Sequence, residues 1–226
     1  MIIKNKKYGI TKEYMIISYH GVECVKVQFG DKVLVFNPIS KDSKFGATRF
    51  GADIAFISLN HPDMNGAENV AYGERKPFVV TGPGDYEIKG IFAEGLIGGE
   101  SAYGGEKLSN TIYLVTLERI KICFLGALNT VNLPASVQEV AEEVDILFVP
   151  IGGNGVLDST DAYKVAVSLE PKIIIPIHFG EVGDKNALKT FFKESGAENE
   201  RTEEKLTLKK KDLEGKEGDI VVLKIV

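Results

Sequence analysis

The feature that most constrains the fold is a change in the spacing of apolar residues midway along the 226-residue chain. In the first half, Val25, Val27 and Phe29 alternate with polar residues, which has the period of a half-buried strand. In the second half, apolar residues at helical spacing alternate with continuous apolar runs typical of buried strands. Strands followed by strand–helix alternation predict a layered α/β (α+β) protein. The pattern alone fits either two packed sheets or a three-layer sandwich.

The predicted elements follow one another without an internal repeat, a low-complexity tract or a linker, so we predict a single domain over residues 1–226. Predicted strands cover 14–19, 25–29, 33–36, 54–57, 78–80, a segment through 86–93, 111–117, 121–124, 145–150, 172–177, 206–208 and 220–226. Predicted helices cover 137–144 and 162–169, with a third between Asp184 and Gly196.

The composition excludes several classes of protein. Hydrophobic residues make up 44% and charged residues 26% of the chain, which is ordinary for a soluble globular protein. The net charge of -5 argues against a nucleic-acid partner, which demands clustered Lys and Arg. The start has no signal-peptide pattern, and no apolar run approaches the roughly 20 residues that span a bilayer. Because Cys24 and Cys123 lack CxxC spacing, we expect buried thiols and a cytoplasmic location.

The segment 58–65 reads Ser-Leu-Asn-His-Pro-Asp-Met-Asn and directly follows the apolar run 54–57. It resembles the His-x-His-x-Asp-His metal-binding loop of the metallo-β-lactamase superfamily, with Leu59 and Met64 in place of the first and last histidines. Other segments resemble the superfamily's small bacterial zinc-dependent hydrolase-like branch: 33–38, 82–90, 110–113 and 175–178. The resemblance covers roughly residues 16–179 and implies a four-layer αββα sandwich, the metallo-β-lactamase fold.

In the superfamily that the chain resembles, a complete two-metal site has about five histidines and two aspartates. Imidazoles and carboxylates are the groups that hold zinc at such sites. The chain has only three histidines, so the complete site cannot form. Leu59 has no lone pair, and Met64 offers a soft thioether that suits zinc poorly. Ala127 takes the place of the bridging aspartate. The segment 95–101 lacks the usual histidine, and Glu100 is an alternative oxygen donor there.

Three residues of ligand type remain: His61, Asp63 and His178. They are consistent with a reduced single-zinc site in which Asp63 is also a catalytic candidate. However, the resemblance assigns His61 to the first metal and the other two residues to the second. We expect the side chains of His61 and His178 to approach the same cleft, at one edge of the sheets.

The three remaining residues also have structural interpretations. His61 precedes a proline and can simply shape its loop. Asp63 can cap the segment 66–71, because carboxylates accept hydrogen bonds from free helical N–H groups. His178 can bond to neighbouring backbone. His20 lies in a predicted turn, where we expect a surface residue.

Two functions from different classes remain open. We expect a metallo-β-lactamase-fold protein with an eroded metal site. Such a protein would bind a small molecule or a protein, or act as a structural subunit, and its chains could assemble as a homo-oligomer. Its cofactor is then either none or a single zinc. The alternative is a single-metal hydrolase acting on an ester, lactone or phosphodiester. In the first case Leu59, Met64 and Ala127 should pack together and fill the former metal pocket.

Overall fold

The computed structural model describes residues 14–140, 143–197 and 201–226. Residues 141 and 142 of the predicted helix 137–144 lie outside the described residues. The prediction of one domain over 1–226 extends beyond them as well and stays a prediction. No helix within the described ranges is long and apolar enough to cross a membrane.

Most strands lie at the predicted positions. A strand at 201–203 was not predicted, and the predicted segment through 86–93 is divided between two strands, the second of which runs to residue 101. In chain order, the strands are β1 (Met15–Tyr19), β2 (Val25–Phe29), β3 (Lys32–Phe36), β4 (Ile54–Phe56), β5 (Phe78–Val80), β6 (Gly84–Ile88), β7 (Ile91–Ser101), β8 (Leu108–Leu117), β9 (Ile120–Phe124), β10 (Ile146–Pro150), β11 (Ile173–Ile177), β12 (Arg201–Glu203), β13 (Leu206–Leu208) and β14 (Asp219–Leu223).

The described strands form two sheets. The order is β13-β1-β2-β3-β4-β5 in the six-stranded sheet and β12-β14-β11-β10-β9-β8-β7-β6 in the eight-stranded sheet. β3, β4 and β5 run parallel, as do β9, β10, β11, β14 and β12, while the remaining neighbours are antiparallel. The segment 82–90 supplies β6 and its hairpin turn. Lys89 and Gly90 turn the chain there at φ values of 54° and 73°, which suits a two-residue hairpin.

The main core lies between the two sheets, because alternate residues of each strand point to the same side. Phe36 is at its centre, with its ring 5.0 Å from Phe56 and 4.8 Å from Phe124. A second apolar cluster joins the other face of the eight-stranded sheet to the helices α1 (Ala135–Val140), α2 (Ser159–Ser168) and α3 (Ala187–Ser195). Asp158 caps α2 by accepting a hydrogen bond from the Asp161 N–H.

A third apolar cluster covers the outer face of the six-stranded sheet. It joins β3 and β4 to residues of the 37–53 loop and to the short 3-10 helix Ala67–Val70. The sandwich predicted from the resemblance is therefore confirmed, and irregular chain with one short helical turn forms its layer over this sheet. The 3-10 helices Tyr103–Gly105 and Lys210–Leu213 lie elsewhere in the chain.

The chain leaves several strands at one edge of the sandwich, and this brings polar residues together. Asn37 follows β3, Ser58 lies just after β4, and His178 follows β11. Hydrogen bonds connect these three positions through Glu23 in the β1–β2 connection. The fold therefore gathers the ends of strands from both sheets around one small volume.

Candidate functional site

The deepest part of the site is a fully buried pair formed by His178 and Glu23. His178 has a left-handed backbone at φ 59°, which is uncommon for a residue other than glycine. Its ring Nδ1 lies 2.9 Å from Oε1 of Glu23. We assign the donor role in this hydrogen bond to Nδ1 and the acceptor role to the Glu23 carboxyl. Among the described residues, the buried Nε2 has no hydrogen-bond partner.

Amide side chains hold this pair in place. Asn37 Nδ2 donates to Glu23 Oε2 at 2.8 Å and to Ser58 Oγ at 2.7 Å, and Asn37 Oδ1 accepts from the Ser58 N–H. Asn110 accepts from the Ala127 N–H and donates to the Leu125 carbonyl. The bonds of Asn37 join the loops after β3 and β4, and those of Asn110 join β8 to the loop after β9. The orientation of the His178 imidazole is set by its buried partner Glu23.

The shallower part of the site is centred on the carboxylate of Asp63. Ser43 Oγ donates to Asp63 Oδ1 at 2.5 Å, and Tyr103 OH donates to Asp63 Oδ2 at 2.7 Å. His61 Nδ1 lies 3.5 Å from the same Oδ2 and accepts a hydrogen bond from the Asp63 N–H. Burial, together with the hydrogen bond and charge of Asp63, raises the pKa of the Tyr103 phenol, which therefore stays a neutral donor.

Tyr103 lies between the two histidines. Its ring centroid is 4.9 Å from that of His61 and 5.0 Å from that of His178, in T-shaped arrangements at 76° and 90°. The two imidazoles therefore lie within about 10 Å of each other, and their approach to one shared cleft stays a prediction. They do not meet there, because the phenol ring of Tyr103 stands between them.

Apolar side chains surround Tyr103. Leu59, Met64 and Ala127 are fully buried and belong with it to one cluster, as expected for a pocket filled by side chains. Burying each large apolar side chain contributes about 1.5–3 kcal/mol of stability. The packing predicted for these three residues is therefore confirmed.

The positions of His61, Asp63 and His178 decide how well the site fits a zinc ion. Zinc requires imidazole nitrogens at about 2.0–2.1 Å, converging on one point. Here Tyr103 separates the two imidazoles, and both carboxylate oxygens of Asp63 accept hydrogen bonds. Within residues 14–140, 143–197 and 201–226, no three His, Cys, Asp or Glu side chains are grouped to hold a metal ion. As arranged, the three residues do not fit one zinc ion, and their role as remnant ligands stays a prediction.

The structural interpretations of two residues need correction. Asp63 does not cap the segment 66–71, since the 3-10 helix there has no side-chain cap and the Asp63 oxygens bind Ser43 and Tyr103. The ring of His178 bonds to Glu23 and not to neighbouring backbone. Both side chains thus belong to the site network and do not simply shape their own loops.

The two remaining candidates lie apart from this network. His20 is half-buried, in contrast to the surface position expected for it, and its ring lies 4.9 Å from that of Phe50. Burial, and secondarily the charge of Lys26, lowers the pKa of His20 to about 4. Glu100 is exposed and pairs at 2.9 Å with the exposed Lys107, so it contributes no donor to the site.

A cleft of about 410 Å³ opens beside the shallow part of the site. Its lining includes Ser43, Lys44, His61, Asp63 and Tyr103. His178 does not line it. Because Tyr103 both lines the cleft and contacts His178, its ring separates the open cleft from the buried imidazole.

The sequence did not single out three residues that the structure places at the centre of the site. Glu23 lies in a short connection that appears solvent-exposed in sequence, although the adjacent Val22 and Cys24 are apolar. Ser43 and Tyr103 lie in irregular segments. The Gly104-Gly105 pair indicated a turn beside Tyr103, and an aromatic residue in such a turn was the one available signal.

The chain is similar to known proteins over most of its length. Residues 16–178 match the model of a family described as a beta-lactamase superfamily domain. A protein named metal-dependent hydrolase from Natranaerobius thermophilus is 24% identical over 186 residues, covering 73% of this chain and 83% of that protein.

Solved structures agree with this similarity. A protein from Thermotoga maritima, assigned as a Zn-dependent hydrolase of the metallo-beta-lactamase superfamily, has a TM-score of 0.72 and 27% identity. The match covers 92% of this chain and 98% of that one. A metallo hydrolase from Ignicoccus hospitalis shares the fold at a TM-score of 0.60 and 17% identity, covering 87% and 99% of the two chains.

Proposed function

The chain belongs to the beta-lactamase superfamily, and we propose that it is a member with a filled metal pocket, acting as a binding or structural protein and not as a two-metal hydrolase. The observation that carries this proposal is the position of Tyr103. Its hydroxyl bonds to Asp63, and its ring stands between His61 and His178.

The chemistry of the surrounding positions supports the proposal. A two-metal hydrolase needs donors on both ions and a carboxylate that bridges them, so that a hydroxide is activated between the metals. Leu59, Met64 and Ala127 stand at three of the positions where the resemblance implies such donors, and all three are buried among apolar neighbours. These side chains stabilise the fold by packing but offer nothing that could hold or activate a water molecule.

The cleft lined by Lys44 and His61 suggests where a ligand would bind. Its volume of about 410 Å³ is in the range of small-molecule sites, and Asp42, Lys44 and His61 are among the residues that line it. We propose a small polar molecule as the ligand, and a protein partner as the alternative. Two free, fully buried cysteines support a reducing location such as the cytoplasm.

Hydrolysis assays on wild-type protein test the proposal directly. The substrates are a phosphodiester, a lactone and a simple ester, each with and without added Zn²⁺ or Mn²⁺. We expect rates equal to the metal-only blank. The matched variant Leu59→His/Met64→His/Ala127→Asp restores three donors and should gain metal binding. Metal-dependent turnover by the wild type that disappears in His178→Ala would contradict the proposal.

One observation favours a second candidate function, a hydrolase with a single metal. His178 has its Nδ1 on a carboxylate and its Nε2 unpartnered, which is the arrangement of many metal-binding histidines. The curated relatives are also named metal-dependent hydrolases. Under this alternative, the protein holds one metal, and both metal and activity are lost in His178→Ala and in Asp63→Asn.

A further inference from the structure

We propose that a cavity at the C-terminal ends of α2 and α3 binds a small organic ammonium ion that carries an apolar body. The cavity has a volume of about 710 Å³, which is in the range of small-molecule sites. It is called the helix-end cavity below. The inference goes beyond the proposed function and does not rest on it, because the helix-end cavity lies apart from the candidate functional site.

The helix-end cavity and the candidate functional site lie at opposite ends of β11. Lys172, which lines the cavity, directly precedes the first residue of this strand, whereas His178 directly follows its last residue. Because a strand rises about 3.3 Å per residue, the backbones of these two residues are roughly 20 Å apart. A small molecule in the helix-end cavity therefore does not reach His178.

Apolar side chains form part of the wall of the helix-end cavity. α2 and the outer face of the eight-stranded sheet supply Tyr163, Ala166, Val167, Ile174 and Ile220. The Tyr163 ring lies against that of Phe191, with the ring planes at 85°, so packing holds it in place. Val167 is 52% exposed, and a hydrocarbon or aromatic body in the cavity would remove it from water. The wall therefore favours a ligand with an apolar part.

The C-terminal ends of two helices meet at the helix-end cavity. Val167 and Glu170 lie at the end of α2, Ser195 and Ala197 lie at the end of α3, and all four line the cavity. The last carbonyl groups of a helix lack partners within the helix and together carry about half an elementary negative charge. This partial charge attracts a cation and repels an anion.

The unpaired side-chain charges at the helix-end cavity are also negative. Glu170 and Glu217 line it, and among the described residues neither carboxylate has a hydrogen-bond or ion-pair partner. The two lysines of the lining, Lys172 and Lys216, are instead each held by an aspartate. An ammonium group in the cavity would therefore meet carboxylates that it can pair with, whereas both lysines already have an acidic partner.

The end of α2 differs from the end of α3 in a way that points to a cationic ligand. α3 ends at Gly196, which has a left-handed φ of 66°, and carries Lys193 in its last turn; both features stabilise a helix end. α2 has no basic residue in its last turn, and the left-handed residue after its cap is Glu170, at φ 45°. Glutamate is disfavoured there by the backbone conformation and by the negative helix end. A bound cation accounts for a carboxylate at this position.

The test is a calorimetric titration of the full chain with three probes of similar size: phenethylammonium, phenethyl alcohol and phenylacetate. The probes share an aromatic body and differ in charge. We expect the ammonium ion to bind at least about tenfold more tightly than the neutral alcohol, because carboxylates and helix ends attract it, and phenylacetate to bind more weakly than the alcohol. Changes in amide chemical shifts should be centred on the ends of α2 and α3 and on the start of β14.

Glu170→Gln and Glu118→Gln form a matched pair of variants. Each removes one negative charge from an exposed glutamate with a left-handed backbone, but Glu118, at φ 50°, lies in the β8–β9 turn and does not line the cavity. Glu170→Gln should lower the preference for the ammonium ion over the alcohol by about threefold to tenfold. Adding Glu217→Gln should remove most of the remaining preference, whereas Glu118→Gln should leave it unchanged.

Equal affinity of wild type for the ammonium ion and the alcohol would overturn the inference, since the cavity would then be an apolar site that does not recognise charge. The inference also fails if the ammonium ion does not bind, if its chemical-shift changes lie elsewhere, or if Glu170→Gln keeps the full preference. None of these outcomes bears on the proposed function, which depends on Tyr103 and the two histidines beside it.

Discussion

Polar groups are buried at both ends of the central parallel strands β10 and β11, but their hydrogen-bond partners differ. Asp145, just before β10, is fully buried, and its oxygens accept hydrogen bonds from the side chains of Lys172 and Lys210 and from the Lys121 N–H. His178, just after β11, is equally buried, but within the part of the chain that the structure describes its Nε2 has no hydrogen-bond partner. The carboxylate oxygens of the first cluster are paired, whereas the second cluster leaves a buried ring nitrogen unpaired.

The electrostatics of Asp145 agree with a structural role. Burial alone would raise its pKa, but hydrogen bonds from Lys172 and Lys210 hold the pKa of this carboxyl below its usual range. The His178 end is instead held by the hydrogen bond of its Nδ1 to Glu23, which in turn accepts from Asn37. The comparison teaches that burial alone does not identify a functional group, and that an unsatisfied buried atom is the more informative sign.

The largest loss of stability is expected at the Asp145 cluster. Asp145→Ala leaves two lysines without their carboxylate and removes an acceptor for a backbone N–H. We expect a loss of about 3 kcal/mol in the free energy of unfolding, at the low end for a buried pair because both lysines are partly exposed. Urea unfolding measures it, with Asp161→Ala in an exposed pair as the control. A loss no larger than that of the control would show that the Asp145 cluster is not structural.

Glu23→Gln tests the orientation of His178. The glutamine amide can donate to Nδ1, so the imidazole proton should move to Nε2. We expect a destabilisation of about 2 kcal/mol, because a buried charge-assisted bond is replaced by a neutral one. Nitrogen chemical shifts of His178 report the tautomer. Wild-type signals of an imidazole that is protonated only at Nε2 would contradict the assignment of Nδ1 as the donor to Glu23.

Tyr103→Phe separates the hydroxyl from the ring. The phenylalanine keeps the packing against His61 and His178 but leaves Asp63 Oδ2 without its donor. We expect a loss of about 1–2 kcal/mol in thermal or urea unfolding. Ser43→Ala removes the donor to the other oxygen and is the matched comparison. If neither change lowers stability, the hydroxyls do not serve as the partners of the carboxylate.

The smallest effect concerns His20, a histidine outside both clusters. Its pKa is lowered to about 4 in the folded state, whereas the unfolded chain titrates at an ordinary value near 6.5. The unfolded state therefore binds more protons in this window, and stability falls as the pH drops from about 6.5 toward 4. After allowing for partial exposure, we expect about 1 kcal/mol.

His20→Phe keeps a ring against Phe50 but does not titrate. The loss of stability between pH 7 and pH 5 should be smaller in the variant than in wild type. The Asp145 pair acts in a different window, since a carboxyl with a lowered pKa gives up its contribution only below its ordinary value of 3.8. Equal pH slopes for the two proteins would show that His20 is not the group responsible.

Much of the fold could be predicted because its signals are local. Alternation in β2 and the continuous apolar runs of β10 and β11 depend only on which faces are buried. The burial of Leu59 and Ala127 in one apolar cluster was predicted from the positions at which donors are missing. Irregular chain over the six-stranded sheet was not foreseen, because loops carry no periodicity.

The partners of the site residues could not be predicted for a physical reason. Glu23 is far from His178 in sequence, and only the three-dimensional fold brings the carboxyl and the imidazole together. Tyr103 is likewise distant from Asp63. A buried hydrogen bond between remote loops leaves no periodic pattern in either segment. The partners Glu23 and Tyr103 therefore could not be predicted, whereas His61, Asp63 and His178 could, because they match a sequence motif.

Elemental analysis of wild-type protein purified without chelator tests the central claim most directly. The site has Tyr103 between its imidazoles and lacks donors at Leu59, Met64 and Ala127. We expect less than about one zinc or other transition-metal ion per chain, because a site with so few converging donors binds a metal ion weakly. Two tightly held metal ions per chain would contradict it.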